Sequence, residues 1–329
     1  MTRTNYIRAA AGAAGLMVLI FDSRCALEGA RYGLDLCIKT AIPSLFPFFI
    51  LSMMLTGSLT FSNSMLLRRL AALLHIPQQA VAILIPAFLG GYPIGAKCVT
   101  DLYRNGLIEK EQAERMLGFC SNAGPSFLFG MVSAFFPDKR MVWTLWCIHI
   151  LSAVLTGLLL PGRMRGANRC ICKNESLHSE QDIMMSAIKA MAAVCGWIIV
   201  MRTLLQFLNV WLLWMLPQWM QVAVIGFLEL SNGCCELLRL ENVAHRFIVC
   251  SCMLAFGGVC VLLQTMSVTK GLSLRNYVAG KVLQTVFSLI LSCIFAAENR
   301  LIYIFAAALF PLLIIKIKNI GRNPDCYPV

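Results

Sequence analysis

Residues 142–160 read VWTLWCIHILSAVLTGLLL, carry no formal charge and stop at Pro161. A straight helix needs about 20 apolar residues to cross the hydrocarbon core of a bilayer, and this run supplies them unaided. Comparable runs lie at 6–22, 41–59, 184–208, 210–228, 247–266, 277–296 and 300–317. Hydrophobic residues make up 59% of the 329 and charged residues 13%, against about 25% charged in a soluble domain. So apolar a chain has no polar coat for a soluble core, whereas helices in lipid turn apolar faces outward. The expected class is an all-α polytopic membrane protein, multi-pass in the cell membrane.

The formal net charge is +12. Its basic residues are spread between apolar runs and not clustered with aromatics. That is the Lys/Arg bias of cytoplasmic loops, and it argues against a nucleic-acid surface. Most of the 15 Cys lie in apolar runs, such as Cys147, Cys195, Cys250 and Cys260, where a thiol behaves as a small hydrophobe. Cys170 and Cys172 sit in a polar loop without the second ligand pair a zinc site needs. Reduced thiols are expected, with no metal and no cofactor. Arg3 and Arg8 before an apolar stretch imitate a signal peptide, but Asp22, Arg24 and Cys25 follow it. It is expected to remain as a short first helix.

The informative segment is 79–136. It is apolar in pieces, interrupted by GGYPIG at 90–95 and by SNAGP at 121–125. The pieces are too short to span and too apolar for plain loops. Non-helical backbone at membrane depth survives only where protein buries it or a cavity receives it. Re-entrant hairpins or discontinuous helices are therefore expected. Beyond residue 182 two similar interruptions occur, ELSNG at 229–233 and FGG at 256–258. Paired interruptions in the two halves of a membrane protein point to a transporter binding site. The layout predicts two inverted repeats: a first transmembrane repeat over 1–161, a polar, Arg-rich cytoplasmic linker over 162–182, and a second repeat over 183–329.

Several residues could carry chemistry. Glu229 ends the apolar run 222–228; an intramembrane carboxylate is costly and usually faces a cavity. It could hold a cation, carry a proton or accept a substrate hydrogen bond, or it could simply end a helix at an interface. Lys97 follows the first break, where a helix N-terminus favours anions; with Gly91, Tyr92, Pro93 and Gly95 it could grip a carboxylate or phosphate, or it could snorkel from a helix end. Asn122 and Asn232 each stand near a Gly in a break and offer donor and acceptor together, though Asn beside Gly also suits a cap or turn. Gln264 and Ser267 could line a pathway or join helices. Arg202 either pairs with a buried acid or marks a shallow segment. No H-E-x-x-H, P-loop or G-x-S-x-G pattern occurs, and the four His are scattered, so no catalytic residue and no enzyme is expected.

The segments PSLFPFFILS (43–52), GGYPIGAK (90–97), EKEQAERMLGFCSNAGPSF (109–127), FLELSNG (227–233) and FGGVCVLLQ (256–264), in this order, resemble the YlbJ-type sporulation integral membrane proteins. These carry the nucleoside recognition (Gate) domain and are related to concentrative nucleoside transporters. The resemblance implies a transporter fold with re-entrant hairpins and a role in forespore or mother-cell membranes. It implies transport of a small anion, dipicolinate foremost, coupled to H+ or Na+ and open to a homo-oligomer. By motif position the substrate site falls on Gly91, Tyr92, Pro93, Gly95, Lys97, Asn122, Glu229, Asn232 and Gln264. The 90–97 break has Lys97 where those transporters place a second acid, which favours an anion over a nucleoside. A nucleoside carrier and a non-transporting scaffold are the competing expectations.

Overall fold

The computed structural model describes residues 3–58, 69, 71–160 and 180–296. Within them the chain is helical, 84%, without strands. Five helical stretches are long and apolar enough to cross a membrane: Ser23–Leu51, Lys139–Leu159, Asp182–Trp211, Val243–Val268 and Arg275–Ala296. The chain is a multi-pass α-helical membrane protein.

Helix α1 (Arg3–Phe21) is exposed along most of its length. Helix α2 (Ser23–Leu36) starts at Asp22, whose carboxylate accepts the Cys25 N–H at 3.1 Å. It passes through a π-turn (Cys37–Ala41) directly into α3 (Ile42–Ser58). The amphipathic stretch from Glu28 to Lys39 belongs to the spanning stretch, which therefore begins earlier than the run expected at 41–59. Two ion pairs run along the spanning stretch, Lys39 with Asp35 at 2.8 Å and Arg24 with Glu28 at 3.3 Å. Cys25, Gly29, Gly33 and Cys37 form a buried stripe at four-residue spacing. Small residues so spaced let helix backbones approach in lipid.

The stripe packs on α9 (Glu180–Trp211). A Cβ at Gly33 would stand 2.8 Å from the Ile199 Cα, and one at Gly29 2.7 Å from the Thr203 Cα. Because those neighbours are backbone, the helices themselves would have to part. Gly33→Leu is expected to destabilise by about 1–3 kcal/mol, read as a lowered unfolding temperature in detergent; an unchanged temperature would mean this helix pair does not form.

Four short helices fold between residues 84 and 130: α4 (Leu84–Leu89), α5 (Ile94–Arg104), α6 (Lys110–Leu117) and α7 (Pro125–Gly130). These are the short apolar pieces of the interrupted segment 79–136. Helix α8 (Lys139–Leu159) begins at Asp138, which accepts the Arg140 N–H at 2.8 Å, and it ends with Leu160 in extended conformation. Pro161 forces that ending, since the residue before proline is driven out of the helical region. After α9 the chain makes α10 (Gln218–Leu228) and α11 (Leu230–Glu236), then α12 (Val243–Phe256) and α13 (Gly258–Val268), and closes with α14 (Arg275–Ala296). The run expected at 210–228 is helical as α10 only from Gln218, and Trp211, Trp214 and Trp219 are exposed around that corner. Such Trp suits the level of the lipid headgroups. Residues 180–182 belong to α9 and not to the linker. The rest of that linker, Cys170, Cys172 and the span expected at 300–317 lie outside the described residues.

Helices α8, α12 and α14 pack as one group, joined at Ser251 and Ser288, whose hydroxyls are 2.8 Å apart. Helix α9 packs against α2, α3 and α13. The interrupted helices fill the space between.

Candidate functional site

The interruptions foreseen in the sequence are all present. In the first, α4 ends at Gly90, Gly91 takes φ +81°, the Tyr92-Pro93 peptide is cis, and α5 starts at Ile94. In the second, α6 gives way at Gly118 to an irregular stretch that runs to Gly124, where Pro125 opens α7. In the third, Glu229 alone is extended (φ −145°, ψ 117°) between α10 and α11. In the fourth, Gly257 at φ +81° closes α12 and hands over to α13. A left-handed residue at that point stops a helix, and glycine adopts it without steric cost.

These breaks touch one another. A Cβ on Gly124 would lie 2.9 Å from the Gly91 Cα, and a Cβ on Gly95 would overlap the Cys120 carbonyl oxygen. A Cβ on Gly257 would reach the Tyr92 ring at 3.3 Å, and one on Gly258 the Phe227 carbonyl at 3.2 Å. Where the first three meet is a cavity of about 60 Å³, room for several water-sized groups. Its walls include Gly91, Tyr92, Ala123 and Gly124 from the first two breaks, Glu229 and Ser231 from the third, and Gln264 from α13. The π-turn and the start of α3 close it with Thr40 and Ser44. Mostly apolar walls with a few convergent polar groups are the ordinary make-up of a small-molecule site.

Of the residues expected at the site, Gly91, Tyr92, Glu229 and Gln264 face this cavity. Glu229 is 3% exposed and does two jobs. Its carboxylate accepts the backbone N–H groups of Ser231 at 3.1 Å and Asn232 at 2.7 Å, capping α11, while it lines the cavity. Gln264 donates to the Cys260 sulfur at 3.3 Å. Pro93 and Gly95 stand behind the lining, where Gly95 lets α5 meet the second break.

Asn122 ties the second break in place. It donates to the carbonyls of Phe119 at 2.8 Å and Ala87 at 3.4 Å, and it accepts from Gln284 at 3.1 Å. Asn232 accepts from Arg202 at 2.7 Å, so Arg202 is paired with an amide, within electrostatic reach of Glu229. Ser267 bonds to the Gln264 carbonyl of its own helix at 2.6 Å. Lys97 is turned away from the cavity and pairs with Asp101 at 2.7 Å, one turn along α5.

The buried cation near the cavity is Lys281, which the sequence reading did not single out. It is 1% exposed. Its ammonium donates to the Ser121 carbonyl, to the Tyr92 hydroxyl at 3.2 Å and to Gln284 Oε1 at 2.8 Å. It also lies 4.9 Å from the centre of the Tyr92 ring. Among the described residues no carboxylate pairs with it. Gln284 extends the network to Asn122 and to the His149 carbonyl. The sequence does carry a signal for this cluster: Tyr277, Lys281, Gln284, Ser288 and Ser292 fall on one buried face of α14, a polar stripe on a spanning helix. Thr40 and Ser44 were also missed; a π-turn often marks such a place.

No protein-family model and no solved structure matches the chain. One curated relative is the sporulation integral membrane protein YlbJ of Bacillus subtilis (strain 168), 23% identical over 316 residues. The alignment covers 82% of this chain and 77% of that protein. Similarity of that extent reaches across both pairs of breaks, and this homology supports the YlbJ-type integral membrane family for the chain.

Proposed function

We propose that the chain is a membrane carrier for a small organic anion, acting during endospore formation. The observation that carries this reading is the convergence of three helix breaks, with α13 after the fourth, on one cavity. Interrupted helices at membrane depth place backbone dipoles and polar side chains where a solute can be held between the two sides; a scaffold has no use for them. The one charged side chain among the cavity walls is Glu229; Arg202 lies within its electrostatic reach, and Lys281 meets the wall only through Tyr92, whose hydroxyl it reaches at 3.2 Å. Dipicolinate, a small dicarboxylate, is the candidate substrate through the likeness to YlbJ. The reading assigns no catalytic step, makes the chain a carrier and not an enzyme, and gives its breaks to solute and coupling ion.

Uptake of labelled dipicolinate beside labelled uridine into proteoliposomes tests this. Saturable dipicolinate flux is expected; uridine flux alone would make the chain a nucleoside carrier, and no flux of either from folded protein would favour a scaffold. Glu229→Gln is expected to slow dipicolinate uptake about tenfold or more with the fold retained. The amide turns one donor toward an N–H that now meets an oxygen, and an unmade buried bond costs about 1–3 kcal/mol. Wild-type uptake rates in that variant would remove Glu229 from the site.

A further inference from the structure

The surroundings of Lys281 are those of a cation site. The ammonium has three protons, and three oxygens receive them: the Ser121 carbonyl, the Tyr92 hydroxyl and Gln284 Oε1. Tyr92 gives its own proton to the Leu254 carbonyl at 2.8 Å, so its oxygen is an acceptor toward Lys281. The rings of Tyr92 and Tyr277 flank the nitrogen at 4.9 and 5.9 Å. Carbonyl, amide and phenol oxygens with aromatic faces attract a cation and offer an anion nothing. The occupant is the chain's own side chain.

We propose that Lys281 is a resident, proton-dependent cation that ties the helix breaks together, so that the proton is the coupling ion and no sodium ion is used. The groups it joins lie on separate elements: Tyr92 in the first break, Ser121 in the second, α14 itself and, through the Tyr92 hydroxyl, the Leu254 carbonyl near the end of α12. A neutral amine donates two protons at most. One of the three oxygens then loses its partner, and attraction to the carbonyl dipole and the rings falls away with the charge. Tyr92, a wall of the cavity, and the second break are thereby released. The proton passes to water in the opened cavity and returns from it.

The other titratable groups facing Lys281 are Tyr92 on the first break, Cys120 on the second, His149 on α8 and Tyr277 on α14. His149 is neutral at Nε2, which accepts the Ala123 N–H at 3.0 Å. Beyond them, Arg115 on α6 acts on Cys120, and Glu229, with Arg202 in its reach, lies at the cavity. Lys281, with three oxygens around its nitrogen, is the one side chain of this cluster whose contacts suit a positive charge.

The consequence for coupling rests on the carrier reading; the tether does not, and it is tested without solute. Hydrogen–deuterium exchange of the full chain in detergent, corrected for intrinsic rates, is followed across pH from about 6 to about 10, a range that approaches the usual lysine value. Peptides covering 90–93 and 118–124 are expected to exchange about tenfold faster at the alkaline end, while the α2 and α9 contact is unchanged. Lys281→Met is expected to show the fast behaviour at every pH, and replacing choline by sodium to change neither protein. A wild-type profile flat in pH, wild-type protection in K281M, or protection that appears only with sodium would overturn the proposal. Should K281M fail to fold, the wild-type series decides alone. A pH-dependent tether without solute flux would sink the carrier reading, and the coupling with it, and leave the tether standing.

Discussion

Gly95→Ala is expected to abolish the folded protein or leave it without flux, although it adds one methyl group. The added carbon would coincide with the Cys120 carbonyl oxygen and stand 3.1 Å from the Ala87 Cα. Both neighbours are backbone, so no side chain can swing aside. The only relief is to part α5 from the second break, and that separation also pulls Tyr92 and Ser121 from the Lys281 ammonium that bridges them. Core changes that combine overpacking with lost buried hydrogen bonds fall in the rare class above about 4 kcal/mol. A monodisperse detergent-purified protein is the measurement, with Gly196→Ala as the comparison. Gly196 lies within α9 with open space around its Cβ position, and alanine there is expected to be tolerated, since it is the better helix former. Equal stability of both variants would mean that α5 does not sit on the second break.

The breaks were readable in the sequence because lipid allows so few structures. A Gly or Pro cluster inside an apolar run has to be sheltered, so 90–95, 121–125, 229–233 and 256–258 stand out before any contact is known. Which side chains the breaks turn inward was less legible. Lys97 adjoins the first break in sequence, yet helical geometry carries it to Asp101, an i,i+4 partner that the sequence also displays. Lys281 was hidden for the opposite reason. It lies in a run that passes as an ordinary span, and only the periodicity of its polar face separates a buried lysine from one near a helix end. Asn122 lies in the second break, whereas Asn232 lies in the first turn of α11; an amide that ties backbone and one that meets solute look alike in sequence. The span expected at 41–59 begins earlier, at Ser23, because Asp35 and Lys39 pair along the helix, and a helix continues through charges that cancel.

Arg115→Met is expected to lower stability by about 3–5 kcal/mol, the larger part of what holds many domains folded. Arg115 is 5% exposed and meets no carboxylate among the described ion pairs. Its guanidinium instead donates to four carbonyls: Leu160 at 3.1 Å, Gly157 at 2.6 Å, Leu74 at 2.7 Å and His75 at 3.4 Å. Gly157 and Leu160 belong to the last turn of α8, whose carbonyls have no partners within the helix. A cation there also opposes the negative end of the helix dipole. Methionine fills similar space and supplies no donor, so each carbonyl left unpaired costs about 1–3 kcal/mol, offset in part because the arginine no longer has to be desolvated. Lysine keeps the charge but not the fork of donors, and Arg115→Lys is expected to recover only part of the loss. Thermal unfolding of the three proteins in one detergent measures the order: wild type, then lysine, then methionine. If methionine matched wild type, Arg115 would not be the cap of α8, and the end of that helix would have to be satisfied by water.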